Sequence, residues 1–370
     1  MSDSDEPVVS LNDVSVHFDK RSDSLNPFAS DDTVHAVDGV SLDIPENTVV
    51  VLVGESGCGK TTLGKTAIGL QKPTAGTIEY RGQDIWEARK GKGDIPYKEI
   101  RRSLQIIHQD PGSSLNPNRV VMASLLEPLR RWYPDLDDEE KRTRILSMLE
   151  RVGMSPARDY AERYPHQLSG GEKQRVALVR ALLMNPDLIL ADEAISALDV
   201  SLRIEMMDLM IELQDLIGTS FLTISHDLSN ARYFAEKTDG YIGIMYLGEL
   251  VEFGPPSEVI GDPSHPYTEV LKWATPELHG FDDSGEEMPI RSIDIPDAVN
   301  PPSGCRFHTR CPEAREVCTE RHPELSFGDD AETTAACFRA MDDEEYWDSP
   351  DITDDLSDDI AEPSDPTEAD

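Results

Sequence analysis

Residues 54–61 read Gly54-Glu55-Ser56-Gly57-Cys58-Gly59-Lys60-Thr61, a G-x-x-x-x-G-K-T octapeptide. Before it, Val49-Val50-Val51-Leu52-Val53 is a β-branched apolar run that suits a buried strand. After it, residues 62–70 read as a helix. Strand, glycine loop and helix together are the context that gives the octapeptide meaning. The three glycines let the backbone curl until successive N–H groups point into one concavity. The helix N-terminus adds partial positive charge, so a polyphosphate fits there. Lys60 is expected to reach the β- and γ-phosphates, and the Thr61 hydroxyl to ligate Mg²⁺. Glu55, Ser56 and Thr62 complete the cradle. Cys58 fills a free position of the loop, with no chemistry assigned to its thiol.

The rest of the chain supplies what a phosphate loop needs. Residues 8–18 alternate apolar and polar, as a half-buried strand does, and end near Phe18, an aromatic able to stack on a purine or to pack at a sheet edge. Residues 20–32 read as a polar loop and 34–44 as a second strand pair. A short strand is expected over 76–80. Another, over 104–108, delivers Gln109 at its carboxyl end, where α/β proteins place their ligands. Gln109 there is a candidate for Mg²⁺ or for an attacking water. Residues 120–164 carry helical periodicity with breaks at Pro134 and Gly153, so they read as a separate helical lobe. At 168–175 the chain reads Leu-Ser-Gly-Gly-Glu-Lys-Gln-Arg. Ser169 suits an N-cap, and Gly170 and Gly171 expose backbone N–H groups at a helix start, a second anion site.

Residues 188–193 form an apolar strand ending in two acids, Asp192 and Glu193. Asp192 suits Mg²⁺, usually through water. Glu193 suits the base that polarises an attacking water. A strand over 221–225 ends in His226, which is placed to contact a γ-phosphate or simply to support the fold.

Net charge is −38 over 370 residues. Residues 341–370 hold 14 acids and neither Lys nor Arg, which leaves −24 for the first 340 residues. The acidic excess therefore covers the folded part as well. It fits a very salty cytoplasm, where screening tolerates charge that self-repels in dilute buffer; an acidic protein of an ordinary cell is the alternative. Either way it argues against non-specific nucleic-acid binding. No run of 18 apolar residues exists, and the acidic N-terminus lacks a signal-peptide core. A cytosolic protein is expected, peripheral if it serves a membrane.

Cys305, Cys311, Cys318 and Cys337 fall within 33 residues. Stable disulfides are disfavoured in a cytosol. A thiolate site is the better reading, with zinc or an iron–sulfur cluster as occupant and idle thiols as the alternative. The closely spaced cysteine pairs usual for zinc are absent, and iron–sulfur spacings are looser.

The order phosphate loop, Gln109, Leu-Ser-Gly-Gly-Glu-Lys-Gln-Arg, Leu-Ile-Leu-Ala-Asp-Glu, Ser196-Ala197-Leu198-Asp199 and Ile224-Ser225-His226-Asp227 resembles the ATP-binding subunit of an ABC transporter. The likeness covers residues 8–338. Gln109-Asp110-Pro111 with Ser114-Leu115-Asn116-Pro117, His265-Pro266-Tyr267-Thr268 and Pro301-Pro302-Ser303-Gly304-Cys305 resemble the dipeptide and oligopeptide importer branch. The resemblance implies an α/β phosphate-loop NTPase with an antiparallel β subdomain, a helical subdomain over about 110–168 and a small C-terminal cysteine-containing lobe. The ATPase domain would span 1–260 and the C-terminal extension 261–340, with a disordered acidic tail over 341–370. It further implies a head-to-tail dimer of identical or homologous subunits, with ATP between residues 54–61 of one and 169–171 of the other. Two permease subunits and, indirectly, an extracellular solute-binding protein would be partners, at the cytoplasmic face of the cell membrane. The cargo would be peptides, with nickel or a sugar oligomer as alternatives; a soluble ATPase acting on DNA or ribosomes is the rival class. The resemblance links the four cysteines to a 4Fe–4S cluster. Two positions depart from the family pattern. Residue 194 is alanine where proline is usual, and Phe18 stands where tyrosine usually stacks on adenine; the ring remains.

Overall fold

A computed structural model describes residues 7–20, 32–110, 112, 115–275, 278, 288–327, 333–341 and 344–352. Its strands, in chain order, are β1 (Val9–Lys20), β2 (Asp32–Ile44), β3 (Val49–Val53), β4 (Ala75–Tyr80), β5 (Gln83–Asp84), β6 (Leu104–Ile107), β7 (Leu188–Asp192), β8 (Ser220–Ser225), β9 (Tyr241–Tyr246), β10 (Glu249–Gly254), β11 (Ser326–Phe327) and β12 (Thr334–Ala335).

The apolar run at 49–53 becomes β3, buried along its whole length. It lies inside an eight-stranded sheet of order β11-β12-β10-β9-β3-β8-β7-β6. The five strands from β9 to β6 run parallel. Parallel strands buried on both faces read as near-continuous apolar runs, which is how β3 and most of β7 appear in the sequence. Because β3, β8, β7 and β6 are adjacent and parallel, their carboxyl ends emerge side by side. Those ends lead into residue 54, residue 226, residue 193 and residue 108.

The second sheet is antiparallel, of order β2-β1-β4-β5. Val9, Leu11, Val14, Val16, Val37, Val40 and Ile44 pack from it against Leu63, Leu52 and Leu190. The helix after the phosphate loop, Lys60–Ala67, sits close on β7 and β8. A methyl group at Gly64 would come within 2.7 Å of Leu190 and 3.1 Å of Ile224. The larger core cluster joins the parallel sheet to helices Val121–Trp132, Asp138–Arg151 and Gly170–Leu182. These helices are the lobe expected from periodicity, and the breaks at Pro134 and Gly153 fall between them.

Several expectations need correction. Residues 34–44 are part of one 13-residue strand, not a strand pair. The helix after the phosphate loop starts at Lys60, two residues early, and ends at Ala67. Residues 241–254 form β9 and β10. Both are buried in the main sheet, and β12 from the C-terminal region pairs with β10. The small C-terminal cysteine-containing lobe thus adds two short strands, β12 and β11, to the edge of the main sheet. The acidic tail does not lose structure at 341. Residues Glu344–Asp348 form a short helix whose Tyr346 is buried against Val317, Cys318 and Phe338. Arg315 covers Tyr346 and Trp347, and its guanidinium donates to the carbonyls of Trp347 and Ser349 at 2.8 and 3.0 Å. Of the expected loop at 20–32, Lys20 and Asp32 belong instead to β1 and β2; residues 21–31, Pro111, Ser114 and the tail beyond 352 lie outside the described residues. Among the described residues, no helix is long and apolar enough to cross a membrane.

Candidate functional site

The loop at 54–61 has the conformation its glycines permit. Gly54 and Gly59 carry φ angles of 158° and 106°. A Cβ on Gly54 would lie 2.2 Å from the Met245 carbonyl oxygen, and one on Gly59 would lie 2.1 Å from that of Ala36. Backbone comes too close at both positions for any side chain. Lys60 is nearly buried, and its ammonium donates to the carbonyls of Gly54 and Glu55 at 2.7 and 2.9 Å. The loop is thus curled around its own lysine. Burial pushes the Cys58 thiol above its usual range, against the opposing pull of Lys60, so it stays neutral.

Thr61, the second residue of its helix, meets the end of β7. Its hydroxyl donates to Asp192 Oδ1 at 2.9 Å. Lys65, one helical turn on, lies 3.6 Å from Asp192 Oδ2. A hydroxyl oxygen and a buried carboxylate at this separation are hard donors of the kind Mg²⁺ selects. The next residue, Glu193, has a left-handed φ of 48°. Its carbonyl accepts from the Ser196 N–H and hydroxyl at 3.1 and 2.8 Å, which holds the turn. The strained backbone lifts the carboxylate off the strand line, toward β6. There Gln109 Nε2 donates to Glu193 Oε2 at 2.7 Å. His226 follows β8, with Ser225 and Asp227 bonded to each other around it and Asp227 capping the next helix. Arg203 pairs with Asp227 at 3.4 Å and donates to the carbonyl of Leu198 at 3.1 Å, so it ties loop 196–199 to the His226 turn.

Thr61 with Asp192 and Gln109 with Glu193 are thus joined side chain to side chain, between residues 131 and 84 positions apart, beside the loop that curls around Lys60. Phe18 is exposed on β1. It pairs with Val34, two residues before Ala36, whose carbonyl abuts Gly59. Ser169, Gly170 and Gly171 start the helix Gly170–Leu182. Ser169 accepts from the Glu172 N–H, and Glu172 accepts from the Ser169 N–H at 2.6 Å, a complete capping box. This leaves the N–H groups of Gly170 and Gly171 free for an outside acceptor. Among the described residues, no hydrogen bond joins them to the phosphate loop of the same chain.

The four cysteines line one small cavity of about 20 Å³, with His265, Phe307 and Tyr346. Burial and mutual repulsion push Cys305 well above the usual thiol range and Cys311 up to about 12. Burial therefore keeps these thiols neutral; a bound cationic centre would instead stabilise thiolates. Among the described residues, the single trio of ligand atoms within 4.8 Å is that of His17, His35 and Asp38. The four sulfurs are thus spread wider than the roughly 3.8 Å that tetrahedral zinc imposes with Zn–S bonds of about 2.3 Å. At the His17–His35–Asp38 trio, Arg306 already pairs with Asp38. Burial acts to raise Asp38, but bonds from Arg306, His17 and His35 outweigh it and hold the carboxyl below its usual range.

Sequence reasoning missed Lys65, Arg203, Tyr267 and Arg310 as neighbours of the site. Tyr267 and Arg310 contact Glu55 from 212 and 255 residues away, and no local pattern encodes that.

Residues 37–196 match the ABC transporter family model, and residues 251–318 match that of the oligopeptide/dipeptide transporter C-terminal region. The chain is 40% identical over 320 residues to the oligopeptide transport ATP-binding protein AppF of Bacillus subtilis, covering 86% of this chain and 94% of that one. It is 38% identical over 340 residues to the dipeptide transport ATP-binding protein DppF of Escherichia coli, covering 92% and 96%. Among solved structures it is similar to a dimeric ATP-binding cassette in a post-hydrolysis state with ADP and Pi. That match has a TM-score of 0.55 and 29% identity, over 67% of this chain and 98% of the other.

Proposed function

This chain belongs to the ATP-binding subunits of ABC transporters, in the oligopeptide and dipeptide branch, and we propose that it hydrolyses ATP to power peptide import through a partner permease. The observation that carries the reading is the meeting of Thr61 with Asp192 and of Gln109 with Glu193, at the ends of adjacent parallel strands beside the phosphate loop. The matched C-terminal region supports the peptide branch over nickel or sugar-oligomer import.

In this mechanism the N–H groups of residues 54–61 and the Lys60 ammonium hold the β- and γ-phosphates. To do so, Lys60 exchanges its bonds to the Gly54 and Glu55 carbonyls for phosphate oxygens. Thr61 and Asp192 would hold Mg²⁺, which when bound would supply charge neutralisation. Glu193 takes a proton from the attacking water, whose oxygen bonds to the γ-phosphorus as the bond to the ADP oxygen breaks. Gln109 orients that water and fixes the Glu193 carboxylate. His226 contacts the γ-phosphate, and Phe18 stacks on adenine. The free N–H groups of Gly170 and Gly171 are completed by the ATP of a second, identical or homologous, ATP-binding subunit. Closure of the pair would exclude water, and hydrolysis would reopen it. Helices 121–161 contact two permease subunits at the cytoplasmic face of the cell membrane, with a solute-binding protein delivering peptide outside.

The family resemblance supports a 4Fe–4S cluster on Cys305, Cys311, Cys318 and Cys337, which line one cavity, with a zinc ion as the alternative. Its role is structural, clamping a region with little core of its own. Iron and sulfide analysis after anaerobic purification tests this; zinc in place of iron overturns it. The spread acidic charge suits a saline cytoplasm.

The decisive experiment is purification of the subunit from native membranes in detergent and molar-range KCl, followed by ATPase assays with peptides. Co-purifying permeases and a solute-binding protein, with turnover raised by peptides, are the expected result. Recovery with ribosomes or DNA-repair proteins instead overturns the transport reading.

A further inference from the structure

We infer that Arg310 and Tyr267, both supplied by the C-terminal region, are positioning residues for the phosphate loop, so that the cysteine-bearing segment sets nucleotide affinity. The inference rests on the reading that residues 54–61 hold ATP.

Glu55 is the first variable position of the loop. Its N–H donates to the Tyr267 hydroxyl at 2.9 Å. Its carboxylate accepts two parallel bonds from Arg310, Nη1 to Oε2 and Nη2 to Oε1, each 3.0 Å. A two-bond guanidinium–carboxylate contact fixes orientation as well as distance. Arg310 is itself immobilised. Its side chain is 5% exposed, Nη1 also donates to the Tyr246 hydroxyl at 3.3 Å, and the guanidinium lies 5.7 Å from the Tyr246 and Phe307 ring centres. Tyr246, Tyr267 and Phe307 are fully buried and pack on one another with centres 4.7 to 5.4 Å apart. The loop thus rests on a rigid aromatic floor through one bidentate pair and the Tyr267 hydroxyl.

The other flank of the loop is held from the same segment. Arg306 pairs with Glu249 at 2.7 Å and with Asp38, and donates to the Leu247 carbonyl. In the turn so braced, the Gly248 N–H donates to the Cys58 carbonyl at 2.9 Å. Arg306 and Arg310 both lie in the compact turn 305–311. It is closed by bonds from the His308 N–H to the Cys305 carbonyl and from the Cys311 N–H to the Phe307 carbonyl, at 3.0 and 2.9 Å. One side of this turn sends Cys305 and Cys311 into the cysteine cavity. The other sends two arginines, four residues apart, to Glu55 and to the turn behind Cys58. Charge adds a second reason for the arrangement. A carboxylate inside a phosphate loop repels polyphosphate, and Arg310 offsets it.

The test uses the purified full-length chain, with MgATP titration and steady-state ATPase assays. Arg310→Met is expected to raise the Kd and KM for ATP by about tenfold, the scale of one charge-assisted hydrogen bond, with a much smaller change in kcat. Adding Glu55→Gln to Arg310→Met is expected to restore much of the affinity by removing the uncompensated charge. Arg310→Lys should fall between, because a point charge does not reproduce the fork. Tyr267→Phe keeps the ring and should still weaken ATP several-fold, so a failure of Arg310→Met to fold leaves the inference testable. ATP affinity unchanged in both Arg310→Met and Tyr267→Phe, or a loss confined to kcat, overturns it. Wild-type protein that binds no ATP overturns both this inference and the proposed function, whereas a wild type that binds normally confines any failure to the inference.

Discussion

Glu252 lies on β10 with no exposure at all, beneath the segment that presents Tyr267 to the phosphate loop. Its carboxylate accepts from the Ser264 and His265 N–H groups at 2.8 and 3.1 Å and from the Thr268 hydroxyl. Burial dominates these three donors and raises the carboxyl from 4.5 to about 7. The folded protein therefore holds a proton that the unfolded chain has lost between pH 4.5 and about 7. The associated stability is fully present below pH 4.5 and is lost as pH rises to about 7. At ~1.4 kcal/mol per pKa unit, ionising Glu252 in the folded state costs about 3 kcal/mol. Glu252→Gln keeps the shape, stays neutral, and escapes this cost at every pH. Urea unfolding of both proteins from pH 5 to pH 8 reads the difference. The variant should gain about 2.5 kcal/mol on the wild type across that range. Glu249, which burial also raises to about 7, is common to both proteins and cancels. A difference that stays flat with pH would refute the reasoning, because it would mean that the three donors compensate the buried charge.

Three further outcomes follow from the site. Glu193→Gln should lower ATP hydrolysis by about 100-fold or more while MgATP binding persists; unchanged turnover would reject Glu193 as the base. Gly59→Ala places a Cβ 2.1 Å from the Ala36 carbonyl at a φ of 106°, so nucleotide binding should be lost in a titration, and retained binding would show that β2 yields. Ser169→Ala breaks the capping box of the helix Gly170–Leu182 and should cost about 1 kcal/mol in chemical unfolding; an unchanged midpoint would mean that solvent satisfies the Glu172 N–H.

The parts of the fold legible in the sequence are those whose cause is local. A fully buried strand favours an apolar run, and 49–53 and 188–191 supply one, while 220–225 is a β-branched and apolar stretch broken by Ser and Thr. The glycines, Lys60 and Thr61 point to the loop, and Ser169 to a capped helix start. Residues 241–254 were harder. Gly243, Gly248 and Gly254 interrupt the pattern, and a methyl group at Gly243 would press within about 3 Å of Leu52 and Leu250, so packing rather than propensity makes that strand. Acidic composition hid the short helix at 344–348, whose order comes from Tyr346 and Trp347 under Arg315. The bonds from Tyr267 and Arg310 to Glu55 were invisible for a different reason. They join positions whose sequence neighbours carry other duties, the HPYT segment and the cysteines.

Gln109 is the second residue after the chain leaves the parallel sheet at Ile107 on its way to the helical lobe, and its amide holds Glu193 at 2.7 Å. A lobe that swings at its root must either take this amide along or part it from the carboxylate. In the proposed mechanism, lobe movement and proton acceptor would thus share a single N–H. A side-chain amide resonance of Gln109 would report lobe rotation and the readiness of Glu193 in one signal.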